Sequence, residues 1–200
     1  MDDRWFRLGD HGRYAAQTPI EWTPEMARYR KLGRLALAIA ILSSFIGCDQ
    51  ATKHYATETL KHSVPQSYLG GTVRLDYALN PGGFLSLGSN LSPTARFYIF
   101  VGFNLCVMTA VIVMLIYNWK ARLAIFTSLA YILAGGIGNL IDRISNDGLV
   151  TDFINVGVGP IRTGIFNVAD VGVMFGATVL VFCLYTKPDL DPGPTHESAA

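Results

Sequence analysis

Four long apolar stretches, with aspartates at or near the ends of three of them or in the link beside, set the terms for this chain. Leu35 to about Ala56, Phe97–Trp119, Leu123–Ile141 and Ile165–Tyr185 can each cross hydrocarbon, which takes about 20 helical residues. Half of the residues are hydrophobic and only 16% are charged, so the composition favours a membrane protein. Asp49, Asp142, Asp152 and Asp170 fall at or near the ends of the apolar stretches. A carboxylate in or beside lipid is expensive and is normally kept for a function.

Basic residues set the expected orientation. Arg28, Arg30, Lys31 and Arg34 crowd the entry to the first span, Lys120 and Arg122 fill the short link between spans two and three, and Lys187 follows span four. Lys61, Arg74, Arg96, Arg143 and Arg162 are spread over the longer links. Both termini are therefore expected in the cytoplasm. Asp49 then lies about 22 Å up the helix from Arg34, and Asp170 about 25 Å from Lys187. Asp142 and Asp152 flank the outer end of span three. Counting alone brings all four acids to the outer rim of the bilayer.

The expected organisation is a cytoplasmic tail over 1–34, a four-span domain over 35–186 with an outer β-rich segment at about 57–96, and a disordered cytoplasmic tail over 187–200. Thr72–Leu79 alternates, with Val73, Leu75, Tyr77 and Leu79 on one face, as a half-buried strand does. Asn80-Pro81-Gly82-Gly83 then breaks it. Gly157, Gly159, Pro160 and Gly164 between apolar residues predict a small hairpin. Gly135, Gly136, Gly172 and Gly176 read as packing positions where helices approach closely. The fold class expected is thus membrane all-α, four transmembrane helices carrying a small outer β-sheet platform.

Several classes drop out. A net charge of +1 without a basic, aromatic-rich stripe argues against a nucleic-acid partner. Cys48, Cys106 and Cys183 are an odd, widely spaced set inside apolar runs, which reads as packing rather than disulfide or zinc chemistry. Phe45-Ile46-Gly47-Cys48 faintly resembles a lipid-attachment site, but too much polar chain precedes it for a signal peptide. No GxSxG, HExxH or phosphate loop is present, and the four histidines lack ligand spacing. No metal or cofactor is expected.

The remaining chemistry lies in the acids and their neighbours. Asp49 and Lys53 are at i and i+4, where a pair can fix a helix end. Asn80 and Gly82 offer an amide and free backbone to an extended peptide. Asn139 shares a helix face with Asp142 and Arg143, and Arg143 is expected to hold Asp142 ionised. Asp152 and Asp170 have no basic residue within four positions, and Asn167 can orient Asp170. Two partly desolvated carboxylates brought together share one proton, so one serves as base and the other as acid. Such a dyad can hydrolyse a peptide bond. The same acids could instead form the proton relay of a small proton-coupled transporter or channel subunit.

Asp49-Gln50-Ala51-Thr52-Lys53, Gly138-Asn139-Leu140-Ile141-Asp142-Arg143 and Phe166-Asn167-Val168-Ala169-Asp170 resemble the DQxTK, GNxxDR and FNxAD motifs of the type II signal peptidase family, the bacterial lipoprotein signal peptidases. The resemblance covers roughly Leu35 to Tyr185. Asn80-Pro81-Gly82-Gly83-Phe84-Leu85-Ser86 departs from that family's NxGAAFS by exchanging small and aromatic positions, and Thr151 replaces a usual valine. The resemblance implies a monomeric inner-membrane aspartic endopeptidase with its site at the periplasmic face. Its substrates would be diacylated prolipoproteins drawn from membrane lipid, cut just before the lipidated cysteine. Asp152 and Asp170 would be the catalytic pair, supported by Asn139, Asp142, Arg143 and Asn167, with Asp49, Lys53, Asn80 and Gly82 shaping or contacting the substrate site.

Overall fold

A computed structural model describes residues 23–82 and 91–186. The expectations for 1–22 and 187–200, and the altered positions Gly83, Phe84, Leu85 and Ser86, lie outside them. The chain divides into two compact units, 1–34 and 35–200. In the first, residues 24–34 are the opening turns of a helix. The element order is α1 (Pro24–Leu60), β1 (Gln66–Tyr68), a 3-10 turn (Leu69–Gly71), β2 (Val73–Asn80), α2 (Pro93–Tyr117), α3 (Leu123–Ser145), β3 (Val150–Val158), β4 (Ile161–Arg162) and α4 (Val168–Tyr185).

Helix ends follow from capping residues as much as from hydropathy. The Ser92 side chain accepts from Ala95 N and Pro93 opens α2, so that helix starts four residues before the apolar run at Phe97. On α4 the opposite happens. Asn167 is the cap, its side chain accepting from Asp170 N while the Asp170 carboxylate accepts from Asn167 N. Ile165 and Phe166 therefore leave the expected fourth span, and Phe166 bridges to Ile154 of β3.

All four helices are long and apolar enough to cross a membrane. Large apolar side chains stay exposed along them, among them Ile99, Phe103 and Ile116 on α2 and Met174, Phe182 and Leu184 on α4. Apolar surface on that scale fits lipid rather than water. The chain is a multi-pass membrane protein. α3 is the most enclosed, with buried residues from Phe126 to Arg143. Ala38, Met108, Val111, Leu115, Phe126, Leu129 and Leu133 form the inner cluster. Phe45, Tyr131 and Phe175 stack edge to face at 5.5 and 5.2 Å and tie α1, α3 and α4.

The glycines pack as expected. A Cβ on Gly135 would lie 2.3 Å from Ala169 O, and one on Gly176 would lie 2.5 Å from Ser128 O. Gly172 faces Phe45 and Gly136 faces Met108. Because backbone cannot move aside as a side chain can, Gly135→Ala and Gly176→Ala should each cost about 1–3 kcal/mol. Thermal unfolding in detergent measures this, and unchanged midpoints would contradict the close α3–α4 contact. The cysteines correct one expectation. All three are free, but only Cys183 is buried, and Cys48 and Cys106 are exposed.

The four strands form one antiparallel sheet in the order β1-β2-β3-β4. The expected hairpin is β3–β4, turning through Gly159 at φ 57°, a left-handed conformation suited to glycine. Leu75, Tyr77, Phe153 and Ile154 pack on Ala56 and Leu60 at the carboxyl end of α1. The alternation expected along β2 fails at its end. The β2–β3 register shifts between Leu75 and Ala78, a bulge that reverses which face each following residue shows. Leu79 is consequently 41% exposed, while Asn80 turns toward β3 and reaches Asp152.

Candidate active site

The acids converge where the second half of α1, the carboxyl end of α3, the start of α4 and the β2–β3 pair meet. Two linked clusters result.

The first surrounds Lys53. Its Nζ lies 2.9 Å from Asp49 Oδ2 and 3.2 Å from Asp142 Oδ2, and donates to Asn139 Oδ1 at 3.1 Å. Lys53 is 3% exposed and Asp49 is fully buried. The expected i, i+4 pair forms, and a third residue joins it. Asp49 Oδ1 accepts from Ala169 N at 2.8 Å, tying α1 to the amino end of α4. Asp142 Oδ2 accepts from Thr151 N at 2.9 Å, tying α3 to β3 beside Asp152. A Cβ on Gly138 would lie 2.6 Å from Asp49 Oδ2, so that glycine makes room for the carboxylate.

The second cluster holds Asp152 and Asp170. Asp152, on β3 and 2% exposed, accepts from Asn80 Nδ2 at 3.0 Å and from Asn167 Nδ2 at 2.6 Å. Asp170, in the first turn of α4, accepts from Asn139 Nδ2 at 2.8 Å and from Asn167 N at 3.2 Å. Asn167 Nδ2 also donates to Asn139 Oδ1 at 3.2 Å. The two carboxyls are thus held through one pair of mutually bonded asparagines. Burial, then the charge of Asp170, pushes the Asp152 carboxyl up to about 6. Donation from Asn80 and Asn167 and the Lys53 charge oppose that rise. One carboxyl that keeps its proton beside another is the arrangement acid–base hydrolysis needs.

Arg143 requires a correction. It makes no ion pair with Asp142 among the described residues; Lys53 takes that place. Its guanidinium donates to Asn139 O and to Gly82 O, each at 3.3 Å, and lies 5.9 Å from the Phe100 ring centroid. The carboxylates acting on its charge are Asp170, then Asp152 and Asp142. Distance along the chain misleads here: the Arg143 side chain reaches past its neighbour to Gly82, just beyond the end of β2, and to Phe100 of α2. Gly82 is fixed by this contact and by donating its N–H to Asn80 Oδ1 at 3.0 Å.

Motif spacing does not single out Gln50, which the structure places in the first cluster. It donates from Nε2 to Asp49 Oδ2 at 3.1 Å, Gly138 O at 3.2 Å and Asp142 Oδ1 at 3.0 Å. It sits inside the Asp49–Lys53 motif, and a glutamine at the end of an apolar run is the signal that could have found it.

Comparison with known proteins gives a family and a fold. A family described as signal peptidase (SPase) II matches residues 41–186. The chain is 36% identical over 169 residues to a lipoprotein signal peptidase of Desulforapulum autotrophicum, covering 80% of this chain and 98% of that protein. It is 32% identical to one of Streptococcus thermophilus, covering 77% and 95%, and 33% identical to one of Hydrogenovibrio crunogenus, covering 83% and 88%. Two solved bacterial membrane enzymes share the fold, with TM-scores of 0.62 and 0.63 at 22% identity. They match over 82% and 76% of this chain and 94% and 95% of theirs.

Proposed function

The chain belongs to the signal peptidase II family, and on that premise we propose that it is an aspartic endopeptidase that removes the signal peptide from diacylated prolipoproteins, cutting just before the lipidated cysteine. The observation that carries the reading is the joint suspension of Asp152 and Asp170 from Asn139 and Asn167.

Asp152, which keeps its proton up to about pH 6, is the acid. Asp170, at the amino end of α4 and accepting two hydrogen bonds, is the base. Asp170 takes a proton from water as the water oxygen bonds to the scissile carbonyl carbon, and Asp152 gives its proton to the carbonyl oxygen. In the collapse, Asp170 passes its proton to the leaving nitrogen as the C–N bond breaks. Asp152 recovers a proton from the hydroxyl, and the dyad is reset. Asn80 and Gly82, with Arg143 behind them, frame the place where an extended peptide lies beside Asp152.

On this reading the site lies at the outer face of a bacterial inner membrane, with both termini in the cytoplasm, as the excess of Lys and Arg before span one and between spans two and three supports. A peptide carrying acyl chains presents its scissile bond at the acyl–headgroup boundary, and carboxylates at the outer ends of helices meet it there. The transporter alternative needs acids spread through the membrane depth. α2 has none, and α3 carries only Asp142 near its outer end.

The deciding experiment incubates the purified protein with a diacylated prolipoprotein and its unacylated twin, then sequences the new amino terminus. A lipidated cysteine from the acylated form alone is expected. No product, or equal cutting of both, overturns the reading. EDTA should leave the rate unchanged, and loss restored by zinc would indicate a metal mechanism.

The pH profile follows from Asp152. Its raised pKa means the proton is present below about pH 6 and lost above it, so activity should fall on the alkaline side through the upper apparent pKa of the pair. Asn80 favours the ionised carboxylate by donating to it. Asn80→Ala should therefore move that alkaline limb to higher pH, and a limb moving to lower pH would contradict the assignment.

A further inference from the structure

We propose that Lys53 is a positioning residue that acts on the dyad through Asn139, holding that side-chain amide in the one orientation that offers N–H to Asp170. This rests on the peptidase reading above and gives Lys53 a different part from substrate contact, since at 3% exposure no peptide reaches it.

An ammonium group has three donors and no acceptor. Lys53 uses all three, on Asp49 Oδ2, Asp142 Oδ2 and Asn139 Oδ1. Whatever faces it must therefore be oxygen. With Asn139 Oδ1 turned to Lys53, Asn139 Nδ2 is turned to Asp170 Oδ1 at 2.8 Å. A flipped amide would set N–H against the ammonium and oxygen against the Asp170 carboxylate, and would strand the Asn167 Nδ2 that donates to Asn139 Oδ1. Asn167 is oriented separately, because its Oδ1 accepts from Asp170 N in the helix cap. Its Nδ2 is thereby left for Asn139 and Asp152. The two asparagines are directed from opposite sides, one by a helix cap and one by a buried cation. Asp49, Asp142 and Gln50 serve in turn to place the cation.

The charged and polar groups facing Asp152 are Asp170 and Asn167 from the start of α4, Arg143 from α3, Lys53 from α1 and Asn80 from β2. Of these, the Lys53 and Arg143 cations and the two asparagines favour its ionised form, and Asp170 opposes it. Loss of Lys53 thus slackens the amide and withdraws a cation at once.

The test compares Lys53→Met with the charge-balanced pair Lys53→Met/Asp49→Asn, in which the introduced side-chain amide keeps an oxygen for Ala169 N. Purified protein is assayed on the acylated peptide across pH. In the balanced variant kcat should fall by up to about 100-fold, the scale of a misplaced reacting group, with KM unchanged. The alkaline limb should move to higher pH. A wild-type kcat and limb, with only a lower unfolding temperature, would make Lys53 a brace and overturn the proposal. A raised KM at wild-type kcat would make it a substrate contact and also overturn it. Asp152→Asn run in parallel separates the two layers: if it is inactive while the balanced variant behaves as wild type, only the role of Lys53 fails. If Asp152→Asn cleaves normally, the peptidase reading fails first.

Discussion

Asp152→Asn and Asp170→Asn should each lower cleavage of the acylated peptide by about 10⁴-fold or more, as loss of one member of an interdependent catalytic set does, while the protein stays folded and inserted. Asparagine keeps the size of each side chain and one of its two acceptor oxygens, so at 152 either Asn80 or Asn167, and at 170 either Asn139 Nδ2 or Asn167 N, loses its acceptor, a cost of about 1–3 kcal/mol that leaves the fold standing. What disappears is the exchangeable proton. Under the proposed mechanism the change at 170 removes the base, and the change at 152 turns the group that gives and recovers a proton into an amide that can do neither. Rates measured beside circular dichroism and thermal unfolding check both halves. Full activity in either variant would remove that residue from the dyad, and loss of folding alongside activity would make it a structural carboxylate.

Asp49→Ala should destabilise the protein by about 3–5 kcal/mol, the range for breaking a buried ion pair from one side. The carboxylate pairs with Lys53 at 2.9 Å and accepts from Ala169 N at 2.8 Å, fully buried. Its removal leaves Lys53 with Asp142 as its remaining carboxylate partner and strands the Ala169 N–H at the start of α4. Asp49→Asn retains an oxygen for Ala169 N and should lose less. Unfolding in detergent distinguishes them, and equal, small losses would show that the Asp49–Lys53 pair contributes little.

The elements are legible in the sequence because hydropathy and motif spacing are local. Apolar run length places spans two and three within a few residues of α2 and α3, and glycine and alternation locate the hairpin and the outer strand. Errors arise where one residue's role depends on a partner far away. Alternation puts Leu79 on the inner face, because a bulge between Leu75 and Ala78 needs β3 opposite it to exist. Ile165 and Phe166 read as helix because they are apolar, yet the Asn167 cap and the bridge to Ile154 keep them extended. Spacing pairs Arg143 with its neighbour Asp142, whereas Lys53, on another helix, takes that carboxylate and Arg143 turns to Gly82.

By itself the sequence determined that the chain crosses a membrane, which helix ends bear the acids, and which family its motifs belong to. Each follows from apolar run length and spacing, which the chain carries locally. The tertiary structure alone decided which donor meets which carboxylate. Those pairs join residues as far apart as Ala169 and Asp49, 120 positions along the chain, and only the packing of α1, α3 and α4 against the sheet chooses among the partners that each polar group could have taken.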